Sequence, residues 1–175
     1  SLPHWRRAGR TLTLSAFAVD EDTRAYDRRA AGASFALQQR FAPTSYFSYG
    51  VAIEGGQYEE LDPRFLVDPP VPLERNLAIL TLQAGANLDY SNDPLDPSQG
   101  WRLNFDVQPT AVTGDDSLTF LRAVAQVSAY VPLDEEGTSV IAGRVRLGSI
   151  IGGDESRVPS DRRFYSGGGG SVRGF

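Results

Sequence analysis

Apolar and polar residues alternate with a period of two through most of the chain. The clearest case is WRLNFDVQP, residues 101–109, in which every second residue is apolar. Such alternation places successive side chains on opposite faces of a β-strand. The pattern predicts about seven strands, at residues 11–20, 30–41, 46–55, 77–90, 101–109, 121–131 and 141–150. The chain is therefore predicted to be all-β, with its strands in an antiparallel meander.

The connections between the predicted strands fall into two groups. The second, fourth and sixth are compact and rich in turn-forming residues; they are APTS, NDPLDPSQG and LDEEGT, at residues 42–45, 92–100 and 133–138. The other group includes the two longest connections and covers residues 21–29, 55–74, 110–116 and the stretch from 152 onward. Every second connection of a meander lies at the same edge of the sheet. We therefore expect one rim of tight turns and an opposite rim of longer loops.

Two architectures give every strand one apolar face and one polar face. A soluble sandwich or lipocalin-like barrel buries the apolar face, and sandwich strands usually run about 5 or 6 residues. A transmembrane barrel turns its apolar face to lipid, uses strands of about 9–11 residues, and has short periplasmic turns and long external loops. The pattern favours the membrane barrel. Since single-chain bacterial barrels begin at about 8 strands, the chain is expected to be part of a larger barrel.

Composition excludes several classes of function. A formal net charge of -5 and a pI of about 4.9 argue against a nucleic-acid partner, because phosphate binding needs a cationic face. The chain has no cysteine, which removes disulfides, thiolate nucleophiles and cysteine-based zinc sites. No stretch approaches the roughly 18 apolar residues of a transmembrane helix.

The glycine-rich stretch RRFYSGGGGSVRGF, residues 162–175, matches no catalytic motif. Its glycines fit a dinucleotide-binding fingerprint in no frame, and Phe175 stands where a phosphate-binding loop needs lysine. A nucleophile elbow at Ser171 would need glycine in place of Arg173. We therefore predict no enzyme activity, no catalytic residue and no cofactor.

Two groups of charged residues have both a structural and a functional interpretation. Asp89, Asp93 and Asp96 offer oxygen ligands for calcium, but they do not follow the EF-hand order, and Asp-Pro pairs commonly build turns. We predict a structural hairpin there and no metal site. Four arginines on the polar faces could form a functional patch in the lumen of the barrel, but we interpret them as solvated residues that face it: Arg102, Arg122, Arg144 and Arg146.

The glycine-rich stretch, preceded by VPSDR, resembles the signature loop of the outer-membrane protein assembly superfamily, to which BamA, TamA and the two-partner secretion transporters belong. NDPLDPSQGWRL is similar to the Pro-x-x-Gly periplasmic hairpin of that family. AGRVRLGSIIGG is similar to the strand that leads into the signature loop. The connection EDTRAYDRR looks more like TamA, the barrel subunit of the translocation and assembly module, than like BamA.

The resemblance implies a transmembrane β-barrel of about sixteen strands, of which residues 1–175 form one part. It implies that residues 152–175 are an external loop that folds into the lumen, and that the POTRA modules and the remaining strands lie outside this chain. The signature residues are Arg163, Phe164, Gly167, Gly168, Val172, Arg173, Gly174 and Phe175. The periplasmic hairpin residues are Asp93, Pro94, Pro97 and Gly100. Arg173 is expected to hold the loop against acidic and aromatic groups of later strands.

The resemblance also implies a function: assembly and insertion of outer-membrane proteins, including autotransporter-type substrates, by strand addition at a barrel seam, as in TamA. The implied location is the bacterial outer membrane. Unfolded outer-membrane proteins, the lipid bilayer and an inner-membrane-anchored subunit of the TamB kind are the implied partners. A two-partner-secretion transporter of the same superfamily and a passive diffusion pore are the alternatives.

Overall fold

A computed structural model of the chain describes residues 2–3, 8–22, 26–61, 72–134, 139–153, 158–159 and 162–163. Its strands form one antiparallel sheet in which each strand pairs with its neighbour in sequence. They are β1 (Leu2–Pro3), β2 (Arg10–Asp22), β3 (Tyr26–Arg40), β4 (Tyr46–Leu61), β5 (Pro72–Asp89), β6 (Gly100–Gly114), β7 (Leu118–Pro132) and β8 (Val140–Ile151). The predicted antiparallel meander is confirmed, with the two-residue β1 added to the seven predicted strands. Within the described ranges, no helix is long and apolar enough to cross a membrane.

The sheet has two faces and two rims. The inner face carries Asn104 and Gln126, which lie opposite each other in the β6–β7 register. The outer face carries Phe105 and its neighbour Ala125. The lower rim holds the connections 41–45, 90–99 and 133–139, and the upper rim is the opposite end of the sheet.

The strands are longer than the sequence pattern predicts, and the difference lies at the upper rim. β4 and β5 have 16 and 18 residues, whereas about 9–11 suffice to cross a bilayer. The β4–β5 ladder continues to Leu61 opposite Pro72, and the β2–β3 ladder to Asp22 opposite Asp27. The prediction that residues 21–29, 55–74 and 110–116 are loops was therefore wrong for most of the positions described.

The outer face carries almost all the large apolar side chains that the strands expose. Phe17 is an exception, because it lies on the inner face opposite Gly32. The others are Leu2, Leu14, Phe35, Phe47, Tyr49, Ile53, Leu80, Leu82, Trp101, Phe105, Val127, Val131, Ile141, Val145, Leu147 and Ile151. A soluble protein rarely exposes so large an apolar surface, whereas a membrane barrel turns it to lipid. The prediction that one face of the sheet is apolar is confirmed.

The buried core lies on the inner face, in its upper half. It consists of Tyr58, Leu77, Ile79, Val112, Leu118, Phe120 and Val158, with Ile150 packed against it. The prediction of a polar inner face was wrong there. Both faces of the sheet are apolar in this region. The sequence of residues 77–80 is therefore LAIL, in which apolar and polar residues do not alternate. The lower half of the inner face is polar, as predicted, and carries Asn104, Gln126 and Arg146.

Candidate functional site

A segment that follows β8 lies against the inner wall of the sheet. Its described residues are Val158, Pro159, Arg162 and Arg163, which we call the returning segment. The Val158 side chain is 1% exposed and belongs to the core formed by β4 to β7. The Nε of Arg163 donates a hydrogen bond to the carbonyl oxygen of Val158 at 2.8 Å, so the two ends of the segment are linked.

Glu54 is the polar centre of this region. Its Oε2 accepts a hydrogen bond from Nη2 of Arg162 at 2.9 Å. Its Oε1 accepts from Nε of Arg28 at 3.1 Å and from the Tyr58 hydroxyl. The Glu54 side chain is only 5% exposed, and a carboxylate so deeply buried requires partners of this kind. We call Arg28, Glu54, Tyr58 and Arg162 the Glu54 cluster.

The charges around Glu54 alternate in sign. Glu21 lies 4.0 Å from Nη1 of Arg28, and Arg28 in turn contacts Glu54. The Arg28 guanidinium also lies over the Tyr58 ring, 5.9 Å from its centroid, at the distance of a weak cation–π contact. The series Glu21, Arg28, Glu54 and Arg162 therefore contains two opposite pairs and no net charge.

Glycines of β3 and β4 leave room beside the cluster. Gly32 lies opposite Glu54 in the β3–β4 register, and a Cβ there would be 2.7 Å from the Phe17 ring. A Cβ on Gly56 would lie 2.3 Å from the carbonyl oxygen of Arg29. The close approach of backbone and ring atoms at these positions requires the absence of a side chain.

Arg102 fixes the hairpin at the lower rim. Its Nε donates to Oδ1 of Asp89 at 3.2 Å, and its Nη2 donates to the carbonyl oxygens of Asp93 and Pro94 at 2.8 and 2.9 Å. Nη2 also donates to Oγ of Ser91 at 3.0 Å. Arg102 does face inward, but its interpretation as a solvated residue was wrong, because its guanidinium donates to protein oxygens. The planar group carries five N–H donors, and their arrangement matches this array of oxygens.

Turn residues shape the same hairpin from within. The Asp93 carboxylate accepts hydrogen bonds from the backbone N–H of Asp96 at 3.0 Å and of Leu95 at 2.7 Å. These bonds hold the pKa of Asp93 below its ordinary value. Gly100 has φ of +103°, and a Cβ there would lie 2.2 Å from the carbonyl oxygen of Tyr90. The hairpin that contains Asp93 and Gly100 is thus internally hydrogen-bonded.

The described residues contain no group of three or more His, Cys, Asp or Glu that could hold a metal ion. Asp89 instead accepts hydrogen bonds from Ser91 and Arg102, and Asp93 from its own turn. The carboxylates of Asp89 and Asp93 therefore have structural partners.

Most of the sequence-predicted signature residues lie outside the described residues. Arg163 is described and supports the returning segment, whereas Phe164, Gly167, Gly168, Val172, Arg173, Gly174 and Phe175 are not. Sequence reasoning missed the Glu54 cluster, because Arg28 and Tyr58 were placed in loops. One signal was available: Glu54 is the only charged residue of the predicted strand 46–55.

Two comparisons with known proteins bear on this arrangement. The profile of the Omp85 superfamily domain matches residues 1–175. The fold is similar to that of the crystal structure of BamA from Haemophilus ducreyi lacking POTRA domains 1-3, with a TM-score of 0.74 and 22% sequence identity. The match covers 95% of this chain and 35% of the BamA chain. The sheet therefore has the fold of part of a BamA-like barrel, and the chain spans about a third of that protein.

Proposed function

The chain belongs to the Omp85 superfamily, and on that premise we propose that the full-length protein assembles and inserts other outer-membrane proteins. We further propose that it acts in the manner of TamA, with autotransporter-type proteins among its substrates. Its location follows from the family and the fold: it forms part of an outer-membrane β-barrel. The apolar outer face provides the lipid contact that this location requires.

The returning segment is the observation that carries the proposal. It packs Val158 into an apolar core on the inner face and pairs Arg162 with Glu54. An open diffusion pore has a polar, water-filled interior, whereas here apolar side chains and a chain segment occupy the upper inner wall. This arrangement favours a barrel with a partly filled lumen, and residues 152–175 are proposed to form the signature loop within it.

The proposed mechanism is strand addition. A substrate strand pairs with an exposed strand edge at a seam of the barrel, so that its backbone groups are hydrogen-bonded before they enter lipid. The seam belongs to the proposed remainder of a barrel of about sixteen strands. In this scheme residues 1–175 provide scaffold and loop, POTRA modules precede them, and a TamB-like inner-membrane subunit delivers or supports the substrate.

Depletion of the full-length protein, followed by quantification of outer-membrane proteins, tests the proposal. If the protein is TamA-like, autotransporter-type proteins should be lost selectively from the depleted outer membrane. Loss of nearly all barrel proteins would indicate a BamA-like role instead. Loss of one secreted passenger from the medium, with an unchanged outer membrane, would support the two-partner-secretion alternative and contradict the assembly proposal.

The diffusion pore is favoured by one observation, the exposed Arg144 and Arg146 on the lower inner face. Planar-bilayer conductance of the purified full-length protein separates the two functions. A steady conductance whose anion selectivity falls in an Arg144→Gln/Arg146→Gln variant would support the pore. A nearly silent, plugged barrel would oppose it.

A further inference from the structure

The geometry points to Glu54 as a positioning residue: we propose that its carboxylate holds the returning segment, and through it the start of the signature loop, against the inner wall. The inference rests on the proposed function, because it assigns a role to a contact of the proposed signature loop. Glu54 and Arg162 are 108 positions apart in sequence. Their contact therefore joins β4 to a segment that follows β8, across four intervening strands.

The two oxygens of Glu54 serve different parts of the molecule. Oε1 binds within the sheet, to Arg28 of β3 and to Tyr58 of β4 itself. Oε2 binds Arg162 of the returning segment. One buried carboxylate thus connects the wall of the sheet with the chain that lies on it.

The returning segment has a second contact, which is apolar. Val158 is buried in the core beside Tyr58, and the Arg163 guanidinium bonds back to the Val158 carbonyl. An apolar contact at 158 and an ionic contact at 162 together define both the position and the direction of the segment.

The negative charge of Glu54, and not only the shape of its side chain, is needed to hold the returning segment. Arg28 and Arg162 approach the same carboxylate from its two oxygens. A neutral amide in its place would leave two guanidinium groups near each other without the intervening negative charge, and like charges in a poorly solvated site repel. Glu54→Gln should therefore loosen the returning segment even though the amide is nearly isosteric.

The test uses the full-length protein in outer membranes, with Val158→Cys as the only cysteine; residues 1–175 contribute none of their own. Val158 is 1% exposed, so a membrane-impermeant maleimide should label the introduced thiol slowly. Glu54→Gln should speed labelling about tenfold, the effect of losing one charge-assisted hydrogen bond that closes the segment. The matched control is Asp106→Asn, since Asp106 lies on the same face but bonds to Gln108.

Arg162→Gln provides a second variant, which remains informative if Glu54→Gln fails to fold. It should raise labelling by a similar factor, and the double variant should add little, because both changes remove the same contact. Unchanged labelling in both single variants, or fully additive effects, would overturn the assignment. Faster labelling in these variants, together with no substrate assembly by the wild-type full-length protein, would uphold the Glu54 anchor and count separately against the proposed function.

Discussion

Nε of Arg102, near the start of β6, donates a hydrogen bond to Oδ1 of Asp89, the last residue of β5, at 3.2 Å. The pair closes the base of the lower-rim hairpin, while Nη2 of Arg102 reaches the carbonyls of Asp93 and Pro94 inside it. One side chain therefore connects the strand ends to the turn. The hairpin is expected to move as a single unit.

Replacement of Arg102 should release this hairpin. Arg102→Ala is expected to cost about 1–3 kcal/mol of local stability, since charge-assisted hydrogen bonds to several oxygens are lost together. Arg102→Lys should recover only part of the loss, because an ammonium group cannot reproduce the planar fork. The measurement is the rate of limited proteolysis within residues 92–99 of the folded protein. Equal cleavage rates for wild type and Arg102→Ala would refute this role.

Gly100→Ala should destabilise the same hairpin by a different route. The substitution forces a Cβ onto a residue with φ of +103°, at 2.2 Å from the carbonyl oxygen of Tyr90. Backbone strain of this kind costs about 1–3 kcal/mol. The control is Gly55→Ala, because a Cβ on Gly55 meets no atom within 4 Å. Urea unfolding midpoints in detergent should fall for the first variant and stay near wild type for the second.

The Asp93 turn should be sensitive to acid. Hydrogen bonds from the Asp96 and Leu95 amides lower the pKa of Asp93. The Asp93 carboxylate therefore stabilises the turn at pH values above its pKa in the unfolded state, which is about 3.9. That contribution is lost as pH falls through the lower pKa of the folded state. The NMR shift of the Leu95 amide should titrate below a pH of about 3.9 in wild type, and this response should be lost in Asp93→Asn. A midpoint above the unfolded value would contradict the assignment.

The apolar core on the inner face should contribute much of the free energy that stabilises the upper half of the sheet. Leu77 is 3% exposed and packs with Tyr58 and Val112. Leu77→Ala is expected to cost about 2–5 kcal/mol. The neighbouring Leu80 is 43% exposed on the outer face, so Leu80→Ala should cost less in detergent. Equal losses in the urea unfolding midpoint would argue against an inner core.

Much of this fold could be predicted from the period-two pattern, because in most of each strand one face meets lipid and the other meets water. The prediction failed at the upper ends of β4 and β5. There Tyr58 and Leu77 lie on a buried inner face, and both sides of the sheet are apolar. A strand without alternation, flanked by Glu59, Glu60 and Glu74, resembles a loop in sequence.

The two parts of the candidate site differed in how far the sequence could predict them. The lower hairpin depends on local turn residues, such as Asp93 and Gly100, whose preferences are visible in the sequence. The Glu54 cluster joins residues 28, 54, 58 and 162, and nothing in the local sequence specifies that pairing. The register between β3 and β4 and the path of the returning segment create it.

A pair of adjacent substitutions should distinguish the two faces of β6. Phe105 is exposed on the outer face, and Asn104 is exposed on the inner face. Phe105→Arg should cost about 2–4 kcal/mol in a bilayer, whereas Asn104→Arg should be nearly neutral. Heat-modifiable gel mobility and urea unfolding in liposomes would measure both. Similar losses for the two variants would contradict a lipid-facing outer surface.

The most direct test of the central claim is a folding assay in proteoliposomes that contain the full-length protein. An unfolded outer-membrane substrate is added, and the folded fraction is followed over time by heat-modifiable gel mobility. We expect faster folding than in protein-free vesicles, and a loss of most of that acceleration in Arg173→Ala, whose barrel should also be less stable to heat. Substrate folding at the protein-free rate with wild-type protein would contradict the assembly function.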